Sequence, residues 1–257
     1  MSPPAVRLTV AYVTFRTDMN TQKEKIVFVA AHPDDTEGFA ATAFLLRDKY
    51  ELHVVDVTRG ERGLGRPGLL DGTTGLRREA EELAACAMLG AKPRFLGEIN
   101  GFAFAGGASV TYLGAVLADL RPVAVFTHWP VDKHAEHVQA AAVAANALLS
   151  LDYQPERYFF EVMFTQTRNY RPTYYVDVGA TIESKLAMLR LYECQNANDF
   201  LAQDNLNRAK VRGKEAPRPM EFAETFTTFD GKPIPGGVID SLPEAVVMPP
   251  NMPFFQA

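Results

Sequence analysis

Two short segments of this chain carry most of its chemically useful side chains. The first is Ala31-His32-Pro33-Asp34-Asp35; the second, about a hundred residues later, is Asp132-Lys133-His134-Ala135-Glu136-His137. In the first, His32 and Asp35 stand three apart, with Pro33 stiffening the turn between them. A nitrogen and a hard oxygen offered together suit zinc or a similar divalent ion, Fe2+ included. If Asp35 turns to the metal, Asp34 can face a water on it, accept that water's proton and pass it to a leaving group. The plainer reading makes His-Pro-Asp-Asp a turn with a helix N-cap, and on this motif alone the two readings weigh evenly.

The second segment tips that balance. His134 and His137 are three apart at the expected start of a helix, so they occupy neighbouring positions of one helical face. One of them can complete a His-Asp-His ligand set that leaves a position open for water. The other can lie beside the metal as a hydrogen-bond donor or general acid. Solvated histidines at a polar helix start are the alternative. However, three of only five histidines fall in these two segments, and His128 makes a fourth nearby.

Both segments need elements that bring them together. Short runs that are apolar on both faces predict buried parallel strands at 26–31, 52–57, 94–96 and 123–127. Between and after them, helical patterns cover 38–50, 76–89, 110–120 and 136–149, with Gly90 as a helix stop. This rhythm predicts an α/β fold: a Rossmann-like doubly wound, mainly parallel sheet with helices on both faces. In such a sheet ligands sit outside the carboxyl ends of the strands, and both segments directly follow strands. Further on, 157–165 and 174–178 read as strands that extend or edge the sheet, and 182–193 and 200–212 as helices. The tail from about residue 230 is rich in Pro and Gly and reads as irregular. With no internal repeat or long linker, one domain is expected at 25–257, preceded by an N-terminal extension at 1–24.

Two Gly-rich loops, at 58–75 and 100–107, lack phosphate-loop spacing, and no Gly-x-Gly-x-x-Gly follows the first strand, which argues against a nucleotide-binding protein. The first loop is long and follows a strand on the same sheet edge as His32, so a functional role is expected for it. The aromatic stretches at 153–164 and 170–175 read as core rather than as pocket lining.

Apolar content of 47% and charged content of 22% are those of a globular protein, and a net charge of −5 offers no basic field for nucleic acid or anionic lipid. No apolar run reaches membrane-spanning length, and the first 19 residues lack a signal-peptide layout, so a cytoplasmic location is expected. Cys86 and Cys194 lie in helix-like patterns and read as free thiols. The expected partner is a small molecule, and a homo-oligomer is compatible with the composition.

The two segments, in this order, resemble the PIG-L/LmbE family of zinc-dependent de-N-acetylases, which act on N-acetylglucosamine-containing conjugates. The family's A-H-P-D-D stands here as Ala31 to Asp35, and its H-P-D-H as His134-Ala135-Glu136-His137. Thr58-Arg59-Gly60-Glu61-Arg62-Gly63 is similar to its T-x-G-E loop. Arg78 and Glu81, ahead of Leu89-Gly90, are similar to its R-x-x-E helix, and Lys185 to Gln195 to its K-x-x-x-L…Q helix. The resemblance implies that His32, Asp35 and His137 bind zinc. It implies that Asp34 is the general base and that a protonated His134 stabilises the oxyanion or protonates the amine. Glu61 and Arg78 match positions that hold substrate in relatives, and Asn100 stands where relatives often carry a substrate-binding Asp. Asp132 is placed to orient His134 from behind, with a solvated loop carboxylate as the equal alternative. The sequence departs from the family at Thr36 (usually Glu, here displaced to Glu37), at Glu136 (usually Asp) and at Asn100.

The implied reaction is hydrolysis of the N-acetyl amide of an N-acetylglucosamine-type sugar conjugate, with activity retained and substrate choice altered by the departures. One rival is an amidase using the same metal site on a non-sugar acyl amine. The other is a non-catalytic, metal-dependent sugar-binding protein. The intact pair Asp34 and His134 argues against the second rival, because binding alone needs no acid and base.

Overall fold

The structure is a computed structural model and describes residues 23–63 and 73–249. Its centre is one eight-stranded sheet. Five strands run parallel: β1 (Lys25–Ala30), β2 (Glu51–Thr58), β3 (Lys92–Glu98), β4 (Ala124–His128) and β5 (Glu156–Phe160). The sheet continues antiparallel through β6 (Tyr174–Asp177), β7 (Ala223–Thr228) and β8 (Ala245–Val247), in the order β3-β2-β1-β4-β5-β7-β6-β8. The expected mainly parallel, doubly wound sheet is the observed one.

The sequence of β1 accounts for its central place. Ile26 and Phe28 point to one face and Val27 and Val29 to the other, and all four are fully buried. The first pair joins a core made with helices α1 (Ala40–Leu46), α2 (Thr73–Met88), α5 (Ile182–Leu189) and α6 (Phe200–Glu215). The second pair packs under α3 (Gly107–Leu120) and α4 (Ala135–Leu149). Phe28 stacks on Phe39 with ring centroids 4.1 Å apart and packs on Phe126 of β4 at 4.8 Å. Tyr158, Phe160, Tyr174 and Tyr175 are buried and fill the core as expected, whereas Tyr153, Phe159 and Tyr170 are half-buried and Phe164 is exposed.

The neighbours β1 and β4 decide where a ligand can sit. After β1 the chain turns to α1 on one face; after β4 it turns to α4 on the other. The two loops therefore separate and open a crevice at the switch point, between the segments that hold the histidines.

Five elements differ from expectation. The strand expected at 157–165 ends at Phe160. The helix expected at 38–50 is a short 3-10 turn, Asp35–Gly38, followed by α1, because Phe39 adopts a non-helical φ of −143° between them. The helix expected at 182–193 ends at Leu189. The strand β7, AETFTT, has no apolar alternation to reveal it; its Glu and Thr side chains are buried against polar partners instead. The strand β8 forms within the tail expected to be irregular. The N-terminal extension up to residue 22 and the middle of the Gly-rich loop, 64–72, lie outside the described residues. Among the described residues no helix is long and apolar enough to cross a membrane. Cys86 and Cys194 are free.

Candidate metal centre

The turn after β1 is shaped by one residue. Asp34 adopts φ 94°, a left-handed conformation uncommon for a residue with a side chain. That turn folds His32 and Asp35 back to the same side. Asp35 is held hard: its Oδ2 accepts the backbone N–H groups of Ala31 (3.1 Å) and His32 (2.8 Å) and faces His128 Nε2 at 3.1 Å. His137 arrives from the first turn of α4, with its Nε2 3.4 Å from Asp35 Oδ1. Ligand atoms of His32, Asp35 and His137 all lie within 4.8 Å of one another, and all three residues are buried. The structure thus brings together the three residues expected to bind metal.

Each imidazole of this set is held from behind by a carboxylate. His32 Nδ1 is 3.3 Å from Asp35, while its Nε2 is 3.0 Å from Glu136 Oε2. Glu136 is anchored in turn by the backbone N–H groups of Gly101 (2.7 Å) and Ala103 (3.2 Å) and by the Asn100 amide. His137 Nδ1 is 3.3 Å from Asp132 Oδ1, and Asp132 Oδ2 accepts the Thr167 hydroxyl at 3.0 Å. Such outer carboxylates fix the tautomer and raise the basicity of a metal-binding imidazole. Asp132 therefore faces the ring of His137; to His134 it offers an acceptor for the backbone N–H, at 2.7 Å.

The electrostatics favour a cation. Burial alone would lower the proton affinity of His137, but Asp35 and Asp132 outweigh it and push the imidazole up to about 10. Acids that hold a proton this firmly will equally hold a metal ion at the same spot, and two nitrogens with one carboxylate are donors that suit zinc. The residues fit the ion. His128 stacks on His137 at 4.3 Å, and burial together with His137 pushes it down to about 4, so it stays neutral beside the site.

Asp34 and His134 lie on the wall of a cavity of 300 Å³ that also includes His32, Asp35, His137, Arg78 and Asn100. Burial pushes the Asp34 carboxyl up to about 7, against the pull of Arg78. The Arg78 guanidinium grips this loop: it donates to Asp34 Oδ1, to the Pro33 carbonyl and to the Gly60 carbonyl. His134 caps α4, its Nδ1 accepting the Glu136 N–H at 3.3 Å, which leaves Nε2 to carry the proton. Burial and the neighbouring His32 lower its proton affinity, whereas the resemblance implies a protonated imidazole.

The remaining expected residues divide. Arg78 and Asn100 line the cavity. Glu61 is not among the lining residues; its Oε2 accepts the Asn100 N–H at 3.0 Å and so fixes the loop that carries Asn100. Sequence reasoning did not single out Met163, Gln166, Phe200 and Leu201, which line the wall together with Gln195, Glu37, Arg62 and Gly63. The first four follow β5 or open α6, and nothing in their local pattern marks them.

Residues 27–148 match the model of a protein family described as PIG-L, GlcNAc-PI de-N-acetylase. The matched span is similar to the PIG-L family over just under half of the chain, from β1 into α4, and includes His32, Asp34, Asp35, His134 and His137. Three solved structures share the fold. One, a conserved protein of Thermus thermophilus, is 23% identical, with 82% of this chain and 97% of that one covered at a TM-score of 0.68. The second is N,N'-diacetylchitobiose deacetylase of Pyrococcus horikoshii, at 19% identity, with coverages of 83% and 88% and a TM-score of 0.70. The third is the 4-carboxy-2-hydroxymuconate hydratase of Pseudomonas putida, at 23% identity, with coverages of 80% and 96% and a TM-score of 0.69. At such identities the likeness concerns the fold, and a hydratase shares it with a deacetylase.

Proposed function

We propose that this chain is a zinc-dependent de-N-acetylase that hydrolyses the N-acetyl amide of an N-acetylglucosamine-type sugar conjugate. One observation carries the reading. The ligand atoms of His32, Asp35 and His137 converge within 4.8 Å on the wall of a cavity that also holds Asp34 and His134. A site built only to bind has no use for that second pair.

His32 through Nδ1, Asp35, and His137 through Nε2 would hold the ion. When bound, the cation supplies a Lewis acid that polarises the acetyl carbonyl and makes a water acidic near neutral pH. Asp34 takes the proton from that water as the water oxygen bonds to the acetyl carbon, while Arg78 keeps the Asp34 carboxylate aimed into the cavity. His134 Nε2 donates to the carbonyl oxygen as negative charge grows there. Asp34 then returns its proton to the departing nitrogen, and acetate and the free amine leave. Arg78 and Asn100 border the reacting atoms and are placed to contact the sugar, with Glu61 acting through Asn100. Gln166 and Gln195, on the same wall, offer neutral groups suited to hydroxyls. The cavity volume falls at the lower end of small-ligand sites, roughly 300–1,000 Å³. The free thiols of Cys86 and Cys194 support a reducing, cytoplasmic location.

The test is acetate release over a panel of N-acetylated sugars, their conjugates and non-sugar N-acetyl amines, with zinc-loaded and chelator-stripped protein. Zinc-dependent release from the sugars is expected. Release from the non-sugar amines alone would assign an amidase instead. Tight sugar binding with no release at any metal loading would overturn the reading in favour of a binding protein. An enoate substrate in the same panel detects a hydratase.

A further inference from the structure

Beneath the loop between the first two metal ligands lies a polar cluster that the mechanism above does not use. Its centre is Glu82, on the inner face of α2 and fully buried. Glu82 Oε2 accepts the Tyr192 hydroxyl at 2.7 Å, and that hydroxyl is 2.7 Å from Thr36 Oγ1. Glu82 Oε1 accepts the Cys86 thiol at 3.0 Å. The carboxylate also faces the backbone N–H of Asp34. Burying an acid in a helix–sheet core without such partners is costly, so its position is set by the groups it serves.

Those groups flank Asp35. One is the amide of Asp34, whose φ of 94° must be sustained by its surroundings. The other is the hydroxyl of Thr36, reached through Tyr192.

We propose that Glu82 is a positioning residue for the reaction: it braces Asp34 and Thr36 from below, and so aims Asp34 at the cavity. The inference rests on Asp34 being the base. Groups displaced by about 1 Å from a productive geometry lose on the order of 100-fold in rate, which sets the scale of the effect. Glu82→Leu removes both acceptors while filling similar volume. Glu82→Gln retains one acceptor oxygen. Tyr192→Phe removes only the hydroxyl link to Thr36.

The expected result is a fall in kcat of about 10- to 100-fold for Glu82→Leu, with KM and zinc content near those of the parent protein. Glu82→Gln should recover part of that loss, and Tyr192→Phe should fall between the two. A merely structural role would lower thermal stability and leave kcat of the folded fraction intact, and that outcome overturns the proposal. A crystal structure of Glu82→Leu gives a second readout that does not depend on the substrate being the right one. Asp34 should leave the left-handed region there. If its φ stays near the parent value, the proposal fails even where the deacetylase reading stands. If Glu82→Leu does not fold, the same kcat and φ measurements on Tyr192→Phe decide, with parental values of both overturning the proposal. If the parent releases acetate from no sugar, the function fails while the φ measurement still decides the role of Glu82.

Discussion

Replacing Asp34 separates proton transfer from metal binding and from folding. Its carboxylate is outside the His32, Asp35, His137 set, so zinc stoichiometry should be unchanged on substitution. It also neutralises Arg78, whose side chain is only 4% exposed. Two substitutions therefore have different consequences. Asp34→Asn keeps a carbonyl oxygen facing Arg78, and its main loss is the base. A positioned general base is worth about 10²- to 10⁴-fold. At about 1.36 kcal/mol per tenfold, that adds roughly 2.7–5.4 kcal/mol to the barrier. Asp34→Ala loses the same base and also strips Arg78 of the carboxylate it pairs with among the described residues, leaving the carbonyls of Pro33 and Gly60. That should remove a further 1.5–3 kcal/mol or so of folding stability, the range for a hydrogen bond to a charged group. The assays are acetate release, metal content by mass spectrometry and urea unfolding. Asp34→Asn should show kcat lower by about 10²- to 10⁴-fold, with zinc content and unfolding midpoint near the parent's. Asp34→Ala should be equally slow and less stable. Parental kcat in Asp34→Asn at full zinc content would refute Asp34 as the base. Equal stability of the two variants would refute the grip of Arg78.

Asp132→Asn should weaken zinc binding by about 10- to 100-fold in a competitive chelator titration, because the amide no longer braces His137 Nδ1 as a carboxylate does. Glu161 is buried and bonded to Arg212 Nε at 2.6 Å and to Thr225 Oγ1 at 2.8 Å; burial would raise its proton affinity, but Arg212 outweighs burial and holds the carboxyl below the ordinary value. Its folded-state pKa being depressed, its stabilisation is complete above the unfolded value and is lost as pH falls through the folded one. Glu161→Gln should therefore be about 3–5 kcal/mol less stable near neutral pH, the loss expected on breaking a buried ion pair, with the gap closing in urea titrations below about pH 4. Phe126→Ala, which empties a fully buried site between Phe28 and Tyr158, should lower the stability measured by calorimetry by about 3–5 kcal/mol and leave the zinc ligands in place.

The parallel half of the sheet was legible because burial on both faces leaves a plain trace in sequence. Runs such as Ile26 to Val29 and Ala124 to Phe126 admit few other readings. The antiparallel half was less so. The residues of β7 are buried as polar side chains: Glu224 takes Lys185 and the first amides of α1, and Thr227 pairs with Thr173. No local pattern announces a strand whose partners lie so far along the chain. The same limit applies at the site. The motif residues could be read because metal ligands need particular atoms at short spacing. Gln166, Phe200 and Leu201 reach the cavity only through tertiary packing, and α6 shows no sign in sequence that its first turn borders it. The shortening of the first helix turns on Phe39, whose non-helical backbone also lets its ring stack on Phe28.

Glu136 is the residue whose meaning changes most. In sequence it is a departure beside a ligand, an extra methylene expected to alter substrate choice. In the fold its carboxylate is turned inward onto His32 Nε2 and two backbone amides of the 101–103 loop. Asp132, four residues earlier, does the same for His137. On the proposed function, one stretch at the start of α4 therefore supplies a metal ligand, the acid–base histidine, and the carboxylates behind both histidine ligands. The segment after β1 supplies the other two proposed ligands and the proposed base. The site is thus two preassembled halves meeting across the β1–β4 crevice, each stiffened by its own backbone hydrogen bonds. Substrate selection falls to what surrounds them, namely Arg78, Asn100 and the cavity wall from β5 and α6. A deacetylase and a hydratase share this architecture, so the fold alone does not decide what the site acts on.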